Sequence, residues 1–229
     1  MLRLSAILLI LFLSACQSNP EKEEVQNMNR ELIEYAEQGN TEQVRQLLQS
    51  GADINATDEQ GRTAVMAATY HNHVGTVEAL IQAGADINIR DHQRNNVFLY
   101  AGAEGMMEIL RLAIEADADV TLTNRYGGTA LIPASDRGHV EIVQELLTRT
   151  DVDVNHMNHL NWTALLEAVI LGDGSEKYQR IVKLLLDHGA DARIPDGNGV
   201  TPLQHARERG YQEIERILFD AVNEEQGKN

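Results

Sequence analysis

The sequence predicts an all-α solenoid of about six stacked helix–turn–helix units joined by β-hairpin-like loops, on three observations. The segment Gly51-Ala52-Asp53-Ile54-Asn55 returns as Gly84-Ala85-Asp86-Ile87-Asn88, 33 residues later, and Asp117-Ala118-Asp119-Val120 follows after another 33. Asp151-Val152-Asp153-Val154-Asn155 comes 34 later, and Gly189-Ala190-Asp191-Ala192 arrives late, behind inserted residues. Each period carries two short stretches with apolar residues at helical spacing. Aromatic residues make up only 4% of the 229, which suits thin Leu, Ala and Val layers between helices. A period of this length marks supersecondary units that cannot bury an apolar face alone and therefore stack.

Before the repeats, Met1-Leu2-Arg3 gives a short positive start, and Leu4 to Leu13 is nearly unbroken apolar sequence. That run falls short of the ~20 residues of a membrane span and has the length of a signal h-region. It ends in Leu13-Ser14-Ala15-Cys16, which resembles a bacterial lipobox. The resemblance implies a lipoprotein signal peptide over 1–15, cut before Cys16, with acyl chains on the Cys16 thiol and its new amino group. Diacylglyceryl transfer needs a thiol nucleophile, and Cys16 is the only cysteine in the chain, so no intramolecular disulfide forms. The polar run Gln17 to Glu24 contains Pro20 and reads as a tether, so 16–28 is assigned as lipidated cysteine plus linker. One acyl chain holds a protein only marginally, whereas several on one cysteine anchor it stably. For a two-membrane bacterium, Gln17 after the cysteine implies the inner face of the outer membrane, facing the periplasm.

The units themselves resemble ankyrin repeats. Thr201-Pro202-Leu203-Gln204-His205-Ala206 is the nearest match to that family's T-P-L-H-x-A, with looser versions at Thr63, Thr129 and Thr163. Gly138-His139-Val140-Glu141-Ile142-Val143 matches the segment between the two helices, and the Gly-Ala-Asp endings match the repeat's close. The array covers 29–222, divided as 29–57, 58–90, 91–123, 124–157, 158–195 and 196–222, with 223–229 as a disordered tail.

Repeat one starts with Leu32, Ile33 and Ala36 as an apolar stripe, and Thr41 is expected to cap its second helix. In repeat two, Gly61 ends the hairpin turn, and Asn72-His73 stands where Gly-His is usual; Asn tolerates the left-handed region. Repeat three is the most divergent: Arg94 replaces the turn glycine and Asp117 the terminal glycine, which predicts a looser hairpin. Repeat four has Pro133 within its first helix and lacks a glycine stop around Thr148 to Val154, which predicts a distorted helix end. Repeat five lengthens the loop between its helices with Gly172 to Tyr178. The last repeat closes the stack with the charged face of Glu213, Glu215 and Arg216.

The formal charge of −16 argues against nucleic acid, whose recognition rests on Lys and Arg, and favours a basic partner. No P-loop, G-x-S-x-G, H-E-x-x-H or G-x-G-x-x-G occurs, and Ser135, Asp136 and His139 on adjacent positions do not make a triad. His156 and His159 fall on a hairpin with no cysteine or carboxylate to complete a metal set, and His73 and His139 sit at the bracing Gly-His position. No enzyme, metal or cofactor is expected, and the chain is expected to be monomeric. The ankyrin resemblance implies protein binding through hairpin tips and first helices. Carried over by position, it gives Arg125, Tyr126, His159, Leu160 and Trp162 at the tips and Tyr70, His71, Arg137, Ile170 and Leu171 on the inner helices. Arg, Tyr and Trp are enriched in interface hot spots, and Leu160, Ile170 and Leu171 would add an apolar patch. The expected function is an envelope lipoprotein that binds a protein partner, as a scaffold or an inhibitor or immunity-type protein. The alternatives are an envelope enzyme and a peptidoglycan-binding structural lipoprotein.

Overall fold

The computed structural model describes residues 20–226, so the expected lipid anchor at Cys16 lies outside the described residues. Among them the chain forms six helix pairs: α1 (Pro20–Glu37) with α2 (Thr41–Gln49), α3 (Ala64–Tyr70) with α4 (Val74–Gln82), and α5 (Val97–Glu104) with α6 (Met107–Glu115). Then come α7 (Leu131–Asp136) with α8 (Val140–Arg149), α9 (Ala164–Ile170) with α10 (Glu176–Asp187), and α11 (Pro202–Arg209) with α12 (Gln212–Gln226). Odd-numbered helices pack against odd and even against even, which makes two parallel rows, and no strand occurs among the described residues. None of these helices is long and apolar enough to cross a membrane.

Small residues let the inner row pack closely. Ala64, Ala67, Ala68, Ala101, Ala130, Ala134, Ala164, Ala168 and Ala206 are all buried, and a Cβ on Gly102 would lie 3.0 Å from that of Ala130. Leucines and isoleucines at helical spacing fill the layer between the rows, among them Leu80, Ile109, Leu110, Leu146, Ile181 and Leu185.

The stack extends further at both ends than the sequence suggests. Helix begins at Pro20 within the segment assigned as tether, because proline suits a first turn and Glu23 and Glu24 lie near the helix's positive end. At the other end α12 runs to Gln226, past the boundary expected at 222. Thr41 is not a cap but the first residue of α2, and its hydroxyl bonds that of Thr76 in the next repeat at 2.8 Å.

Repeat three is not loose. Arg94 and Asp117 adopt the left-handed backbone that glycine takes elsewhere, at φ +63° and +54°, and the Asp91–Asn95 hairpin closes with the same bonds as its neighbours. Repeat four shows the proline's effect directly. Thr63, Asn96, Thr163 and Thr201 each accept from the third residue of the helix they cap. Thr129 does not: Pro133 has no N–H to give its carbonyl, α7 starts one residue late, and the buried Thr129 hydroxyl has no partner. The end of α8 is distorted as expected, with Thr150 extended (φ −135°, ψ 160°) and its hydroxyl turned back to the Leu146 carbonyl at 2.6 Å.

Candidate functional site

Each hairpin is held by one acidic or amide side chain that accepts from backbone N–H groups two and four residues on. Asp58, Asp91, Asn124, Asn158 and Asp196 all do this, at 2.8–3.1 Å. The positive φ of Gly61, Arg94, Gly127, Asn161 and Gly199 closes each turn. Neighbouring tips also pair, His92 N–H to the Gln60 carbonyl and His159 N–H to the Tyr126 carbonyl, both at 2.9 Å. The tips therefore project from the stack as a fixed row beside the inner helices.

Between the hairpins of repeats three to five and helices α5, α7 and α9 lies a cleft of about 710 Å³. Its walls are Tyr100, Tyr126, Ile132, Pro133, Trp162 and Leu171, its rim is Gln93, Arg125, His159 and Leu160, and its floor carries Asp136 and Glu167. Tyr126 and Leu160 are each 60% exposed and Leu171 49%, so three of the large apolar side chains left in water face one concavity.

Seven of the ten residues singled out from the sequence line this cleft: Arg125, Tyr126, Arg137, His159, Leu160, Trp162 and Leu171. Trp162 is half-buried and faces into it. Ile170 does not belong to the patch. It is only 8% exposed, because the turn of α9 that presents Leu171 to the cleft carries Ile170 into the stack. Tyr70 and His71 line a separate hollow one repeat earlier, with Arg62, Asp91 and His92. There the Tyr70 hydroxyl donates to the Asp91 carboxylate, and burial followed by that carboxylate pushes the phenol up to about 12. His71 faces Glu37 at 3.3 Å.

The two arginines of the cleft are committed within the protein. Arg137 donates to the Ala103 carbonyl at 2.8 Å and pairs with Glu104, which ties α7 to α5. Arg125 donates to Gln93 at 3.2 Å, with its guanidinium 4.8 Å from the centroid of the Tyr126 ring.

Sequence reasoning missed Glu167. It lies in the apolar run Ala164 to Ile170, is only 8% exposed, and accepts from the Asn158 amide at 2.7 Å. Burial and then the charge of Asp136 push its carboxyl up to about 7. Burial likewise raises Asp136, against the opposing pull of Arg137. The signal was legible in principle: a glutamate at the fourth position after the Thr163 cap, where Ala67 stands in repeat two, cannot reach outer solvent.

The histidines brace the stack. His73 donates to the Glu37 carbonyl at 3.0 Å and His156 to the Gly127 carbonyl at 2.7 Å, while the His139 ring packs on Gly105. His205 pairs with Asp196 at 2.9 Å. Among the described residues no group of three or more His, Cys, Asp or Glu is placed to hold a metal.

Comparison with known proteins meets this geometry. A model of the family "Ankyrin repeats (3 copies)" matches residues 6–91, 98–178 and 152–229. The ankyrin repeat protein YahD of Escherichia coli K12 is 44% identical over 197 residues, 86% of this chain and 98% of that protein. The chain belongs to the ankyrin-repeat family. Among solved structures, an ankyrin repeat domain from Acinetobacter baumannii AYE is 50% identical with a TM-score of 0.81, covering 83% of this chain and 97% of that one. The ankyrin repeat domain of Bcl-3, a member of the IkappaB family, is 26% identical with a TM-score of 0.74, covering 83% and 85%. Ankyrin-repeat proteins are generally non-catalytic interaction modules, and an ankyrin stack is a scaffold for protein partners. In this ankyrin array the tip row and inner helices of repeats three to five form the apolar-walled cleft described above.

Proposed function

We propose that this protein is a lipid-anchored component of the bacterial envelope that binds a protein partner in the cleft of repeats three to five. One observation carries the binding reading: Tyr126, Leu160 and Leu171 stay in water yet converge on one rigid hollow that also holds Trp162. Exposed apolar side chains grouped this way lose free energy in water until a partner covers them. An aromatic anchor in a preformed hollow is the usual centre of an interface. The anchor reading is supported by the Leu13-Ser14-Ala15-Cys16 motif behind a short apolar run. On this reading the protein is a dedicated binder, as a scaffold or as an inhibitor of an envelope or secreted protein, and it holds its partner close to the membrane surface.

Photo-cross-linking in cells tests the cleft. A photoreactive side chain at position 160 or 171 should capture one discrete protein, and one at Phe219, exposed on α12, should not. Trp162→Ala should cost the partner more than about 2 kcal/mol in binding. Equal capture from all three positions would sink the cleft as the docking site. Cys16→Ser tests the anchor: the protein should lose metabolic labelling by an alkyne fatty acid and leave the membrane fraction.

A further inference from the structure

The floor of the cleft carries two carboxylates whose acceptor capacity the protein leaves unfilled. Glu167, on α9, is only 8% exposed and faces the cleft; one of its oxygens takes the Asn158 amide at 2.7 Å, and among the described residues no bond reaches the other. The half-buried Asp136, at the end of α7, receives no hydrogen bond or ion pair on its carboxylate from the described residues; its backbone carbonyl takes the Tyr178 hydroxyl at 2.7 Å. Both arginines that line the cleft are engaged elsewhere, Arg137 on Ala103 and Glu104, Arg125 on Gln93 and the Tyr126 ring.

An under-coordinated, nearly buried carboxylate beside a second one is unfavourable when ionised unless a cation completes it. Glu104, which also lines the cleft, is paired with Arg137, and among the described residues no group of three or more His, Cys, Asp or Glu is placed to hold a metal, so the donor set does not describe a metal site. The walls suit an organic cation instead. The rings of Tyr100, Tyr126 and Trp162 line the cleft and supply aromatic surface to a charged head, and Ile132 and Leu171 supply apolar surface to an aliphatic stem.

We propose that the cleft receives a lysine or arginine side chain of the protein partner, with its charged head on Asp136 and Glu167 and its stem between Trp162 and Tyr126. This rests on the docking reading above and names the chemistry of the group that docks. The net charge of −16 favours approach of a basic segment, and the cleft gives that segment one specific seat.

Trp162 is the only tryptophan in the chain and lines the cleft, so its fluorescence reports the site directly. The full chain, held in detergent, would be titrated with capped pentapeptides of alanine carrying a central Lys, Arg, Gln or Glu. The Lys or Arg peptide should shift Trp162 emission saturably, and the Gln and Glu peptides should not. Asp136→Asn with Glu167→Gln should weaken the cationic peptide at least tenfold. Both changes keep side-chain volume, the amide oxygen of E167Q still accepts from Asn158, and circular dichroism confirms that the variant is folded. Equal responses to the Lys and Gln peptides, or undiminished binding by the folded double variant, would overturn the proposal. Cross-linking from positions 160 and 171 separates the two readings: a partner captured equally by the double variant removes the cation seat but leaves the docking cleft standing. Loss of that capture in the double variant supports the seat.

Discussion

The Asn158 side-chain amide donates to the Glu167 carboxylate at 2.7 Å, so the residue that closes the hairpin of repeat five is also tied to the helix behind it. Asn158 uses its oxygen for the Leu160 and Trp162 N–H groups and its nitrogen for Glu167, and it is itself only 7% exposed. The shape of the tip that presents Leu160 and Trp162 is thereby coupled to the charge state of a group on the cleft floor.

That coupling predicts a pH dependence of stability. Glu167 is pushed up to about 7 by burial and then by Asp136, while an unfolded glutamate titrates near 4.5. Between those values the folded protein binds more protons than the unfolded one at this site, so the site's contribution falls as pH rises from 4.5 through 7 and is level above. The groups acting on it are Asp136 on α7 and Asn158 on the hairpin, with Arg137 and Tyr178 beyond Asp136. Glu167→Gln should therefore match the native chain near pH 4.5 and exceed it by about 2 kcal/mol at pH 8, after allowance for the cleft's water. Urea unfolding at the two pH values reads the difference. A gain that is equal at both would mean that charge is not the cause.

Two turn positions with positive φ predict opposite signs for gaining and losing a glycine. Arg94 holds the left-handed conformation at φ +63°, which costs an ordinary residue about 1 kcal/mol. Arg94→Gly removes that strain and should stabilise by about 0.5 kcal/mol, less than the full amount because glycine also frees the unfolded chain. Gly127→Ala meets both obstacles: φ is +78°, and the new Cβ would lie 2.4 Å from the His159 ring. It should destabilise by about 2 kcal/mol and disturb the cleft rim. Thermal unfolding of the two variants side by side checks the pair, and two losses would show that Arg94 makes a compensating contact.

The repeat period made the helix pairs, hairpins and tip positions legible, because Gly-Ala-Asp endings and Thr caps recur at fixed distances. Periodicity could not say how a departure would be absorbed. Arg94 reads as a lost turn, yet the Asp91 carboxylate enforces the turn through its bonds to the Gln93 and Asn95 N–H groups. Ile170 and Leu171 read as one patch, but consecutive residues at a helix end face about 100° apart, and only Leu171 reaches the cleft. Glu167 was hidden for a simpler reason: a carboxylate in a helix is ordinarily outside, and only the stacking of α9 between α7 and α11 puts it inside.

Pro133 predicts a local repair. Ala67 and Glu167, its counterparts, donate to the carbonyls of Thr63 and Thr163 at 2.9 and 3.0 Å, a bond proline cannot make to Thr129. Pro133→Ala should restore it, extend α7 back by one residue and stabilise by about 1 kcal/mol, the added flexibility of the unfolded chain offsetting part of the gain. Urea midpoints measure this, and the backbone amide that the substitution introduces should be protected from hydrogen exchange. A freely exchanging amide there would mean that the first turn of α7 is displaced by packing and not by the proline.

The last prediction concerns a ladder that runs along the closing segments of the repeats. The N–H groups of Asp53, Asp86, Asp119 and Asp191 donate to the side chains of Asn29, Asn55, Asn88 and Asn155, at 2.8–2.9 Å. The first rung ties α1 to the close of its own repeat, and the other three each join one repeat to the next. The step from the third repeat to the fourth lacks its asparagine: Thr121 stands there, and its shorter side chain turns back to its own repeat's Asp119 at 2.6 Å. Repeat four, on the far side of that junction, also lacks two bonds of its own, the Thr129 cap and the one Pro133 cannot make. In a stacked array, stability depends on such neighbour terms. Thr121→Asn should let the Asp153 N–H find an acceptor and raise stability by about 1 kcal/mol, or roughly 2–4 °C in unfolding midpoint. Asn88→Ala, which removes an existing rung, should lower it by a similar amount. If both changes leave the midpoint where it was, the ladder's bonds exchange evenly with water and the junction is held by its apolar layer alone.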